Sequence, residues 1–298
     1  MSSAHQVAGL GAKGAGRRPA PKSRKTTPPI SNELLLRILI GLLLAGIGIA
    51  VTLAGGYLFA GFVALAAIAA AREWHRMVGT ERYAREWIAT GAGLAMAIGV
   101  TTISTSVVAP IAILVAGATL AAGFGAARGA PVKWAGLGAL YIGIPACALV
   151  ALREHVHHGE WIVLGVLLVI WSADTGALAT GRIFRGPKLI PSLSPGKTWS
   201  GLIGGLLIPA VLATVYVAAF SGSPLRGFVV GLVLAAAGHG GDLFESWIKR
   251  RVGRKDSGES IPGHGGVLDR LDSTLFVAPL AAILVFTIGV SQLFGVSA

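Results

Sequence analysis

Acidic residues are scarce in this chain, and the few present are bunched. Of its 13 Asp and Glu, six fall within residues 242–272. In "GDLFESWIKR", Asp242, Glu245 and Ser246 stand at i, i+3 and i+4, with Lys249 one turn further, so all four share one side of a helix. Asp269 and Asp272 follow in "VLDRLD", and Asp174 stands alone in "WSADTGALATGR". Carboxylate oxygens are the hard ligands that Mg²⁺ prefers, and magnesium sites use one or two of them plus water and substrate phosphates. Asp242 and Asp269 are therefore the candidate metal ligands, with Asp174 a further ligand or a support to them. Cations surround these acids: Lys249, Arg250, Arg251, Arg254, Lys255 and Arg270 in the same stretch, Lys188 and Lys197 upstream. Acids for metal beside cations for phosphate suit phosphoryl or nucleotidyl transfer.

Blander readings stand beside that one. The acids can simply pair with neighbouring Lys and Arg to hold a loop, a reading that weighs most for Glu245, Asp256 and Asp272. Glycines in "PGHGG", Gly265 and Gly266 among them, and in "SPGKT" let backbone N–H groups approach phosphate oxygens. "SPGKT" lacks the upstream glycine and preceding strand of a Walker A loop, which makes that reading poor. His264 lies inside the glycine-rich stretch and is a candidate substrate contact. His239, one turn before Asp242, fits either a place beside the site or helix packing. "REHVHHGE", residues 153–160, resembles a metal site only on paper and reads as a solvated loop.

The elements that carry these residues are membrane helices. The chain is 54% hydrophobic and only 13% charged over 298 residues, with a mean hydropathy of +0.73. A water-soluble domain carries about a quarter charged residues. Crossing the hydrocarbon takes about 20 helical residues, and such windows occur near 34–53, 55–72, 86–103, 106–125, 134–152, 161–180, 201–220, 227–247 and 273–292. The expected fold is an all-α polytopic membrane bundle of about nine transmembrane helices. A cytoplasmic N-terminus then places every Lys and Arg except Arg153 and Arg226 on or beside inside segments, as the positive-inside rule requires. Residues 1–32 hold Lys, Arg and Pro without an apolar core and read as a disordered basic tail. Residues 33–298 read as one membrane domain. The net charge of +12 fits cytoplasmic loops facing anionic lipid and phosphate-bearing substrates rather than nucleic acid. Cys147 is the sole cysteine, so no disulfide framework exists.

With these residues in view, the chain resembles the phosphatidate cytidylyltransferases, or CDP-diacylglycerol synthases. Their long C-terminal signature is filled here by Ser246, Lys249, Arg250, Lys255, Asp256, Gly258, Pro262, His264, Gly265, Gly266, Asp269, Arg270 and Asp272. A second block, "WSADTGA…GRIF…KLIPSLSPGKTWSG" over 171–201, extends the likeness to at least residues 170–298. The resemblance implies that CTP and phosphatidic acid react, with Mg²⁺, to give CDP-diacylglycerol and pyrophosphate for phospholipid synthesis. It implies a homodimer in the cell membrane, and metal at the aspartates matching Asp242 and Asp269. Some members hold a monovalent cation such as K⁺ beside the Mg²⁺.

On that reading the charged stretch cradles a nucleoside triphosphate and metal at the cytoplasmic membrane surface, within reach of a lipid phosphate. Asp242, Asp269, Lys249, Lys255 and Asp256 form the catalytic set. Lys197, Arg250, Ser246, His264, Gly265, Gly266 and Arg270 bind substrate. Two alternatives remain: a CTP-dependent polyprenol or phytol kinase, which would move the γ-phosphate, and a secondary transporter with acids as ion sites. Transporters place such acids near the midplane, often in repeated halves; these acids gather at one interface, and no repeat is visible.

Overall fold

The computed structural model describes residues 32–79, 83–129, 132–254, 256–258, 260–261 and 265–289. Most of the tail expected over 1–32, and Lys255 and His264 of the expected site, lie outside the described residues. Among the described residues the elements run α1 (Asn32–Ala54), α2 (Gly56–Val78), α3 (Ala84–Ile103), α4 (Val108–Ala126), α5 (Val132–Glu154) and α6 (Gly159–Phe184). They continue through β1 (Lys188–Ile190), β2 (Ser194–Thr198), α7 (Trp199–Ala219), α8 (Pro224–Arg251) and α9 (Leu268–Ile288).

Every expected span has a helix, and α2 through α9 are each long and apolar enough to cross a membrane. The apolar part of α1, Leu39–Ala54, is shorter. An all-α polytopic membrane fold is thus the architecture. Two groups pack side by side, α2 to α5 and α6 to α8, and α9 lies against both α8 and α5. Small residues make these seams close, as suits helices that gain no hydrophobic drive from lipid. At Gly241 a Cβ would stand 2.5 Å from the Asp272 carbonyl oxygen, so glycine is what lets α8 and α9 meet at the level of the acids.

Two features depart from expectation. The segment between α6 and α7 folds into an antiparallel hairpin, with Lys188 opposite Thr198 and Ile190 opposite Ser194. "SPGKT" is its second strand, and the Thr198 hydroxyl caps α7 by accepting from the Gly201 N–H at 3.1 Å. The 153–160 stretch is partly structural rather than solvated throughout. Arg153 donates to the carbonyls of Thr52 and Leu53 at the end of α1, Glu154 accepts from the Gly56 N–H at 2.8 Å, and His155 hydrogen-bonds the Thr101 carbonyl.

Candidate functional site

The carboxylates sit at one end of the bundle on three helices: Asp174 in the latter half of α6, Asp242 and Glu245 in the C-terminal part of α8, and Asp269 and Asp272 on the first turns of α9. α9 begins at Leu268, so the last two are inside the helix rather than ahead of it. Asp242 is held from two sides. Lys197 of β2 donates to Oδ2 at 3.1 Å, and Ser273 of α9 donates to Oδ1 at 2.6 Å. Ser273 also gives its N–H to Asp272 Oδ1 at 2.8 Å, which brings the Asp272 carboxyl within electrostatic reach of Asp242, and Asp174 is within reach of both. Arg270 is within electrostatic reach of Asp174.

One turn further toward the loop is a second group. Lys249 donates to Asp269 Oδ1 at 2.7 Å and to Glu245 Oε1 at 3.1 Å. Glu245 is fully buried, and its carboxyl neighbours that of Asp269. The backbone N–H groups of Ser257 and Gly266 both donate to Asp269 Oδ2, at 3.2 and 3.3 Å. Ion pairs of the kind the blander reading expects are therefore present at Asp242, Glu245 and Asp269, which are acids of the expected site. Gly266 already directs its N–H to Asp269, while Gly265, at φ 84°, adopts the left-handed backbone that glycine favours.

The hairpin stands between two cavities. One, of about 700 Å³, is walled by α6, α7, α8 and the hairpin; Asp174, Arg182, Arg185, Lys188, Lys197 and Asp242 supply its charge. Leu178, Leu189, Leu202 and Leu243 make much of the remaining wall apolar. The other, of about 270 Å³, gathers Ser246, Lys249, Arg250 and Asp256 against Ser194 and Gly196 of the hairpin. Arg250 also donates to the Leu193 carbonyl at 3.4 Å, fixing the hairpin tip to α8. His239 lines the larger cavity, next to Asp242.

Thus Asp174, Lys197 and Asp242 come together, and so do Ser246, Lys249, Arg250 and Asp256, with Asp269 joined through Lys249. The expected pairing of Asp242 with Asp269 takes a staggered form: they lie one helical turn apart along the α8–α9 seam, Asp269 being one turn before Ser273. Among the described residues no cluster of three or more His, Cys, Asp or Glu is arranged as a ready metal cage. A cage is not what Mg²⁺ needs, since one or two carboxylates with water and phosphate oxygens suffice. The side-by-side carboxyls of Asp242 and Asp272 fit a hard divalent cation, because a cation between them would relieve their mutual repulsion.

One residue at this end was not signalled by the sequence. Glu73 of α2 is 3% exposed and accepts from Ser257 Oγ at 3.2 Å and from the N–H groups of Val267 and Leu268 at 3.0 and 2.8 Å.

Residues 35–288 match the Cytidylyltransferase family. A protein named phosphatidate cytidylyltransferase from Brucella suis is 35% identical over 254 residues, covering 84% of this chain and 92% of its own. One of the same name from Haemophilus influenzae is 42% identical over 45% of this chain and 50% of its own. A third, from Bacillus subtilis, is 41% identical over 50% of this chain and 56% of its own. With acids, lysines and hairpin gathered at one end of a membrane bundle, and the match running through nearly every helix, the chain belongs to the cytidylyltransferase family.

Proposed function

We propose that this protein is a phosphatidate cytidylyltransferase, which transfers the cytidylyl group of CTP to phosphatidic acid and releases pyrophosphate. The observation that carries the reading is the convergence of Asp174, Asp242 and Asp272 from three helices, with Asp174, Asp242 and Lys197 on the wall of a partly apolar cavity. A lipid phosphate needs a polar seat next to an apolar wall, and Leu178, Leu202 and Leu243 supply one.

We assign Mg²⁺ to Asp242 and to Asp269 one turn away, with Asp272 and Asp174, the acids beside Asp242, completing the negatively charged seat that a divalent cation would occupy. Mg²⁺ would supply charge neutralisation between two anionic substrates. The remaining work belongs to the chain. Phosphatidate is ionised at neutral pH, so its phosphate oxygen needs positioning more than deprotonation. Lys188, Arg182 and Arg185 offer it cations at the larger cavity. Lys249, Arg250 and Lys197, with Lys255, would stabilise the charge that builds on the departing pyrophosphate. Ser246 and Asp256 line the smaller cavity beside Lys249 and Arg250, where the hydroxyl would orient the triphosphate and the carboxylate would hold the cations that face it. Gly265, Gly266, His264 and Arg270 complete the proposed substrate contacts.

A cytoplasm-facing site is part of the proposal, supported by the crowding of Lys and Arg at this end of the bundle, as is a homodimer, supported by the family likeness. The test is direct. Purified protein given phosphatidate, CTP and Mg²⁺ should form CDP-diacylglycerol, identified by mass in the lipid extract. Phosphatidate recovered unchanged would overturn the reading.

A further inference from the structure

Three consecutive residues of α2, Glu73, Trp74 and His75, are buried to within 3% exposure and reach in three directions. Trp74 Nε1 donates to the Trp134 carbonyl at the start of α5, at 2.8 Å. His75 Nε2 and Thr90 Oγ1 of α3 share a hydrogen bond of 2.9 Å. These two contacts fix the end of α2 within the first helix group. Glu73 alone reaches across to the segment before α9, and there it meets both ends of the loop: Ser257 on the way out, Val267 and Leu268 on the return.

The same two loop ends hold Asp269. Ser257 gives its hydroxyl to Glu73 and its N–H to Asp269, while Gly266, whose N–H also goes to Asp269, packs directly against the Glu73 carboxylate. A Cβ on Gly266 would lie 2.6 Å from Glu73 Oε2 and 2.2 Å from Ser257 Oγ, and one on Gly258 would lie 2.9 Å from Glu73 Oε1. Two glycines of the signature stretch are thus accounted for by the approach of this one carboxylate. Glu73 makes no contact with the cavities themselves.

We propose that Glu73 is a positioning residue: it clamps Ser257, Val267 and Leu268 to the end of α2 and so fixes where Asp269 presents its carboxylate. Three donors on one buried carboxylate give the clamp its direction, because every partner needs an acceptor. Glutamine has the same shape but replaces one acceptor oxygen by an NH₂ group, which faces a backbone N–H whichever way the amide is turned. A loosened Asp269 would then miss its productive geometry, and displacements of about 1 Å cost on the order of 100-fold in rate.

The inference rests on the assignment of Asp269 to the site, so Glu73→Gln is compared with Asp269→Asn. The first readout needs neither metal nor substrate: amide hydrogen exchange of detergent-solubilised protein. In Glu73→Gln, exchange over 256–268 should quicken by about tenfold or more while peptides from α6 and α7 keep wild-type rates. Turnover with phosphatidate, CTP and Mg²⁺ should fall by at least about tenfold, and Glu73→Asp, which keeps the acceptor, should regain part of it. Unchanged exchange over 256–268, or faster exchange with wild-type turnover, would overturn the clamp. An active Asp269→Asn would remove the site assignment instead and leave the exchange result to stand by itself. Should Glu73→Gln quicken exchange everywhere and so fail to fold, Ser257→Ala decides: a local quickening over 256–268 supports the clamp, and its absence overturns it.

Discussion

The ammonium of Lys249 touches Glu245 on its own helix and Asp269 on the next, while Lys197 reaches Asp242 from the hairpin. Each proposed metal ligand therefore has a lysine already beside it, and the two roles, ion pair and ligand, make different predictions. Asp242→Asn and Asp269→Asn keep the shape of the side chain and one acceptor oxygen, so the bundle should stay folded. If the carboxylates hold metal, each variant should turn over at less than about a tenth of the wild-type rate at saturating Mg²⁺. Steady-state turnover beside a thermal melt checks this: wild-type turnover would reduce that aspartate to a structural partner. These acids were legible in the sequence because an ionisable group in an apolar span is costly and stands out. Glu73 was not legible. It lies among Arg72, His75 and Arg76 at a span end, where charge is ordinary, and its partners are 184 to 195 residues away.

At the scale of elements, the site depends on how closely α8 and α9 run. Gly241 is the position that decides it, since a Cβ there would meet the Asp272 carbonyl oxygen at 2.5 Å and Phe276 at 3.1 Å. The clash is with backbone, which cannot swing aside. Gly241→Ala should cost about 1–3 kcal/mol of stability and also pull Ser273 from Asp242, so activity should fall further than stability does. Gly240→Ala, with nothing within 4 Å of its Cβ, is the control and should behave as wild type. Because alanine favours a helix over glycine, propensity cannot produce a loss in either variant, and equal loss in both would contradict the seam account. Helices were readable from long apolar runs bounded by charge. The hairpin was not, because its strands have only three and five residues and include Pro195 and Gly196, types that disfavour strands. What stabilises it lies elsewhere in the chain, in Asp242 and Arg250.

For the whole molecule, the proposed cytoplasmic placement of α8's C-terminus and α9's N-terminus rests on the positive-inside rule and is open to a labelling test. In a Cys147→Ser background, single cysteines at exposed His157 and Ser192 should react with an impermeant thiol reagent from opposite sides of sealed vesicles. Reaction of both from the same side would contradict the span order. The order of the nine described helices was readable because charge and hydropathy each alternate along the chain; the staggering of the acids was not, since it depends on how deeply α9 starts beside α8. The central claim concerns which bond of CTP is broken. Attack at the α-phosphorus leaves cytidine and the α-phosphate on the lipid and releases pyrophosphate, whereas a lipid kinase would move the γ-phosphate alone and release CDP. Parallel reactions with α-³²P and γ-³²P CTP separate the two. The account predicts α label in the lipid extract and γ label in water-soluble pyrophosphate; γ label in the lipid would contradict it.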